Sequence, residues 1–166
     1  MDDSTAHASA LAVETGERLL ARGWFLATAE SCTGGMIGAA ITDVAGSSAW
    51  FDRGFITYSN EAKIELLGVP AELIAAAGAV SEVVAQAMAE GALAHSRANA
   101  SVSVTGIAGP GGATPGKPVG MICFGWAFRD CPVVSETRYF DGDRAAIRAA
   151  TVRHALLGLI ERMRGV

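Results

Sequence analysis

Trp24-Phe25-Leu26-Ala27-Thr28-Ala29, then Glu30-Ser31-Cys32-Thr33-Gly34-Gly35, then Met36-Ile37-Gly38-Ala39-Ala40-Ile41 is the stretch from which the fold is read. The first six residues are a short apolar run of strand type, the next six are small and polar, and the last six return to helical character. Strand, tight turn, helix is the resulting order, and it puts Ser31 at the carboxyl end of a strand. On the amino side, 9–22 reads as a helix stopped by Gly23, a residue that takes the left-handed position after a helix without penalty. Residues 1–8 read as a loose tail.

Downstream, 50–57 is a second strand candidate, and a short helix over 61–67 is closed by Gly68. Pro70 opens another helix to about 77. Ser81 suits the cap of a longer helix to about 96, with Val84, Met88 and Ala92 on one side. Residues 101–105 alternate as a strand does, and 120–129 with 133–140 form a hairpin candidate across Asp130-Cys131-Pro132. In the last helix, about 143–163, Val152, Leu156, Leu159, Ile160 and Met163 fall on one core-facing stripe. Helices and strands interleave, so the expected class is α/β: a three-layer α/β/α sandwich with a mixed, mostly parallel sheet, one domain over 9–166.

Composition narrows the function. Of 166 residues, 51% are apolar and 18% charged, which excludes a disordered or solvating chain. A net charge of −4 with no basic stretch leaves nucleic-acid binding without an electrostatic footprint. No cationic amphipathic segment and no bilayer-length apolar run point to a membrane. Cys32, Cys123 and Cys131 have no metal-like spacing, and His7, His95 and His154 are scattered, so neither a metal nor a cofactor is expected. The acidic, polar start is unlike a secretory signal, and a reducing cytoplasm is the expected compartment.

Three irregular segments, 30–35, 57–63 and 105–118, each follow a strand, and carboxyl ends of strands are where ligands bind in open α/β sheets. In the first, backbone N–H groups of Thr33, Gly34 and Gly35 at a helix start would favour an oxyanion or phosphate, and Ser31 would be the nucleophile. Simple helix capping by Ser31 or Thr33 is the competing reading. The second segment holds Tyr58 and Lys63, with Asn60 between them as a candidate cap. A desolvated lysine beside a tyrosine can serve as the base a serine needs, although a packed tyrosine and a solvated lysine would look the same. In the third, Gly111-Gly112-Ala113-Thr114-Pro115-Gly116-Lys117-Pro118 fits G-x-x-x-x-G-K but has Pro118 where a phosphate-binding loop needs Ser or Thr, so an NTPase is rejected. Its glycines remain able to cradle a ligand, with Thr105 at the mouth. Arg144 and Arg148, at the start of the last helix, oppose its dipole and would be explained by an anion. Cys32, a thiol at a helix start, competes with Ser31 as nucleophile. Trp24, Trp50, Trp126 and Cys123 read as packing.

Taken together, 28–35, Ile41-Thr42-Asp43-Val44-Ala45-Gly46-Ser47-Ser48, Gly54-Phe55-Ile56-Thr57-Tyr58-Ser59-Asn60-Glu61-Ala62-Lys63 and Thr105-Gly106-Ile107-Ala108-Gly109-Pro110 resemble the CinA C-terminal domain family over about 10–163. The resemblance implies a three-layer fold and, for stand-alone members, hydrolysis of nicotinamide mononucleotide to nicotinic acid mononucleotide and ammonia. It implies Ser31 as nucleophile, Tyr58 and Lys63 as its activators, and a substrate region of Thr33, Gly34, Gly35, Gly46, Ser47, Ser48, Thr105, Gly106 and Gly109. Arg144 would meet the phosphate of a small-molecule nucleotide, and a homodimer is plausible by family likeness. Two other readings stay open: the same amidase chemistry at Cys32, and a nucleotide-binding or competence-related partner protein without catalysis.

Overall fold

The computed structural model describes residues 3–166, with side chains from Ala8 onward. Helix α1 spans Asp3–Arg22, so the loose tail expected over 1–8 is corrected from position 3, while residues 1–2 lie outside the described residues. Ser and Thr at 4 and 5 read as tail, but Asp3 ahead of an alanine-rich run suits a helix start. The remaining elements follow as β1 (Leu26–Glu30), α2 (Met36–Thr42), β2 (Phe51–Ile56), α3 (Asn60–Leu67), α4 (Ala71–Ala77) and α5 (Glu82–Ala94). Then come β3 (Ala100–Gly106), β4 (Met121–Phe128), β5 (Val134–Tyr139) and α6 (Arg144–Arg162). Local chemistry sets several of these bounds. Ser59 Oγ accepts from Ala62 N–H, Ser81 Oγ from Val84 N–H, and Asp143 Oδ1 from Ala146 N–H. Asn60, expected as a cap, is instead the first helical residue, because Ser59 has already taken that role.

The five strands run in the order β2-β1-β3-β4-β5. β1 pairs in parallel with both β2 and β3, and β4 is antiparallel to β3 and β5, so β4 alone runs against the others. The sheet is therefore mixed and mostly parallel, as the sequence implied. The carboxyl ends of β1, β2 and β3 meet at one edge.

Helices α1, α2 and α6 cover one face, and α3, α4 and α5 the other. On the first face Leu26, Val102, Val104, Ile122, Phe124 and Trp126 pack with Ile37, Ile41, Leu156 and Leu159. Full burial of each such side chain is worth about 1.5–3 kcal/mol. On the second face the alternating partners are smaller, with Ala27 and Ala29 against Val84, Met88 and Ala92. Small residues let α5 approach closely: Ser101 and Ser103 of β3 donate to the Ala89 and Ala85 carbonyls, which ties helix to sheet. Trp50 and Trp126 are core residues, as expected, and each lies against a helical glycine, Gly16 and Gly158 respectively.

Gly91 of α5 shows how tight this layer is, since a Cβ there would lie 2.1 Å from the Leu67 carbonyl oxygen. Gly91→Ala is expected to lower unfolding stability in urea by about 1–3 kcal/mol, the usual cost of overpacking. Gly111→Ala, with nothing within 4 Å, is expected to change the midpoint little.

Candidate active site

β1 ends on Glu30, and the chain turns at once through Ser31. Ser31 N–H donates to the Val104 carbonyl of β3 at 3.1 Å, and Thr57 N–H donates to the Glu30 carbonyl at 2.8 Å. The ends of three strands are thereby locked together around one side chain. Thr57 leaves β2, Ser59 caps α3, and one turn later Lys63 is carried back beneath the strand ends. Lys63 Nζ lies 3.0 Å from Ser31 Oγ and 2.8 Å from the Thr57 carbonyl, donating to both as an ammonium. Lys63 is only 1% exposed and Ser31 8%. Burial holds the Lys63 amine below the usual lysine range, because desolvation disfavours its charged form.

These groups open into a cleft of about 200 Å³ lined by Ser31, Cys32, Tyr58, Asn60, Lys63 and Thr105, among others. Ala79, Val80, Gly106, Ala108 and Arg144 complete its walls. Tyr58 is 65% exposed at the rim, and its hydroxyl accepts from Arg144 Nη2 at 3.5 Å. Arg144 also donates to the Gly109 carbonyl at 2.8 Å. Ser31, Lys63, Tyr58, Thr105, Gly106 and Arg144 thus share one cleft, with Gly109 held at its rim. The immediate partner of Ser31 is the amine of Lys63, while the phenol of Tyr58 faces the guanidinium. Thr105 Oγ1 is engaged with the Ala79 carbonyl at 2.9 Å.

Two expectations are corrected here. The start of α2 is not an open anion site: the buried Glu30 carboxylate fills it, accepting from Ile37 N–H, Gly38 N–H and the Thr33 hydroxyl at 2.8, 3.0 and 2.6 Å. Thr33 is fully buried in that contact, and Gly34 N–H is spent on the Ser31 carbonyl at 3.0 Å. Gly34 and Gly35 have φ of 57° and 105°, which the turn requires. Nor does Arg148 await an anion. It donates to the Cys32 and Thr33 carbonyls, both at 3.1 Å, and so braces the turn from the α6 side.

Gly46, Ser47 and Ser48 do not line this cleft. They precede β2, where Leu26 N–H donates to the Trp50 carbonyl, so within the chain they sit at the amino end of the strands, opposite Ser31. Sequence reasoning missed Glu30, whose only signal was an acid at the last strand position, and the wall residues Ala79 and Val80, which carry no chemical signal. Among the described residues no group of three or more His, Cys, Asp or Glu gathers that could hold a metal ion.

A serine hydroxyl in contact with a buried lysine amine at the carboxyl edge of an α/β/α sandwich is the arrangement this fold presents. The model of the CinA C-terminal domain matches residues 8–163, and the chain belongs to that family. It is similar to nicotinamide-nucleotide amidohydrolase PncC of Enterobacter agglomerans, 56% identical over 83% of this chain and 84% of that one. It is likewise similar to PncC of Escherichia coli K12, 50% identical over 88% of each. Among solved structures, the competence/damage inducible protein CihA of Agrobacterium tumefaciens superposes with a TM-score of 0.90 at 49% identity, covering 93% of this chain and 94% of that one.

Cys32 lines the same cleft, yet burial, reinforced by the Glu30 charge, pushes its thiol up to about 12. The thiolate fraction at pH 8 is then on the order of 10⁻⁴. Iodoacetamide at pH 8 is expected to modify exposed Cys131 and to spare Cys32 and Cys123, with three adducts appearing only after unfolding, as read by intact mass.

Proposed function

We propose that the chain is an amidohydrolase that converts nicotinamide mononucleotide to nicotinic acid mononucleotide and ammonia, with Ser31 as nucleophile and Lys63 as its base. The observation that carries this reading is the 3.0 Å contact between a buried amine and a serine hydroxyl inside a cleft. The names of relatives that are 50–56% identical over most of the chain support the substrate.

With Lys63 neutral, Ser31 Oγ–H donates to Nζ, and Oγ attacks the carboxamide carbon as the proton moves to the amine. Lys63 returns that proton to the substrate nitrogen, the C–N bond breaks and ammonia leaves. Water then gives a proton to Lys63 while its oxygen attacks the acyl carbon, and Oγ departs with the proton. General-base help of this kind is worth about 10²–10⁴-fold. Remaining N–H groups of the 31–35 turn hold the oxyanion, each worth roughly 3–4 kcal/mol. A cleft of about 200 Å³ admits the planar ring, leaving ribose and phosphate at the rim with Tyr58 and Arg144. Tyr58 supports substrate rather than taking the first proton. A cytoplasmic location and a homodimer belong to the same proposal, and among the described residues no helix is long and apolar enough to cross a membrane.

A pure nucleotide binder has no use for an amine buried at a serine, and Cys32 is held protonated. Ammonia release from nicotinamide mononucleotide is the test. Ser31→Ala and Lys63→Met are expected to lose at least about 10³-fold in kcat/KM, while Cys32→Ala stays within about threefold and Tyr58→Phe loses mainly in KM. Full turnover by Ser31→Ala would overturn the assignment.

The lowered Lys63 pKa also sets a pH sign. Catalysis needs the free amine, so kcat/KM is expected to rise with pH through a midpoint below the ordinary lysine range. The unfolded chain holds this proton to higher pH than the folded one, so Lys63 makes folding more favourable as pH rises through the folded pKa toward the unfolded value. Lys63→Met is expected to remove that pH-dependent gain in urea unfolding.

A further inference from the structure

The glycine-rich segment whose spacing mimics a phosphate loop reaches a different acceptor. Lys117 Nζ donates to the carbonyl of Ala77, the last residue of α4, at 2.6 Å. The next carbonyl, Gly78, accepts from Ser81 Oγ at 2.8 Å, and the one after, Ala79, accepts from Thr105 Oγ1 at 2.9 Å. Three successive carbonyls are thus held by side chains from the loop, the α5 cap and β3. Gly78 has φ +79° and a Cβ there would lie 2.7 Å from Lys117 Nζ, so the amine is seated directly against the strap.

Ala79 and Val80, next along this strap, form a wall of the cleft that holds Ser31 and Lys63. The loop is shaped to deliver the amine. Thr114 and Lys117 exchange backbone hydrogen bonds at 3.0 and 2.9 Å, and Gly112 and Gly116 take φ of 92° and 79°. A cation at the carboxyl end of a helix is also electrostatically favourable.

We infer that Lys117 is a positioning residue for substrate binding: it ties the glycine-rich loop to the Ala77 carbonyl, at the head of the strap that Ser81 and Thr105 hold further on, and so fixes the Ala79–Val80 wall against which the substrate ring lies. It touches neither substrate nor reacting atoms. Its kinetic signature rests on the amidohydrolase reading, and its structural signature does not.

Lys117→Met keeps the apolar stem and removes the donor, and Lys117→Arg restores one. For Lys117→Met, KM for nicotinamide mononucleotide is expected to rise five- to twentyfold with kcat within twofold. Amide hydrogen exchange at Gly78, Val84 and Ala85, whose N–H groups are bonded to Ile74 and Ser81 at the two ends of the strap, is expected to quicken at least tenfold, with the strands unchanged, and Lys117→Arg to recover most of both effects. Unchanged exchange, or unchanged KM in an enzyme that turns over, overturns the inference. So does a fall in kcat accompanied by faster exchange across the whole chain, the mark of a general loss of fold. If the wild-type chain releases no ammonia, the amidohydrolase reading fails by itself and the exchange comparison still decides whether Lys117 holds the strap.

Discussion

An amine with almost no solvent contact lies at the centre of this molecule, and the surrounding architecture keeps it there. Taking an ammonium out of water costs several kcal/mol unless its hydrogens find acceptors. Lys63 has two, the Thr57 carbonyl and Ser31 Oγ. Neither is a carboxylate, so burial is not offset by an opposite charge and holds the amine below the usual lysine range. Seating an amine beside a serine in this way makes two demands on the fold. It needs a parallel pair of strands that end side by side and a helix that returns within one turn, and β1, β2 and α3 supply both.

The turn bearing Ser31 is fixed from several directions. Glu30 anchors it to the start of α2, Arg148 grips two of its carbonyls from α6, and Ser31 N–H is tied to β3. A carboxylate and a guanidinium, neither bonded to the Ser31 hydroxyl, therefore define where that hydroxyl sits. Such prior fixing means that little reorganisation is left for the moment of reaction. The positive end of the helix is used here for rigidity rather than for ligand binding.

Much of this was legible in the chain. Strand, small-residue turn and helix around Ser31 announced a position at a strand's carboxyl end, and the stripe on α6 announced a core helix. The pairing of Ser31 with Lys63 was accessible because both fall just after strands, and strand ends converge. Other features had no local signature. Glu30 looks like any acidic turn residue until its helix is placed over it, and Arg148 reads the same whether it meets a phosphate or a carbonyl. Gly46-Ser47-Ser48 resembled a binding turn, but only the strand direction reveals that it lies at the far edge. Ala79 and Val80 matter through shape alone, which composition cannot express.

Because β4 runs against its neighbours, the chain leaves β3 and re-enters the sheet at the same edge, the one that bears Ser31. The connection from Ile107 to Gly120 therefore never has to travel behind the sheet, as a link between parallel strands must. Its tip, with residues 110–116 all exposed, is a surface excursion rather than a structural crossover. A change of length at that tip would leave the packing of the layers beneath untouched.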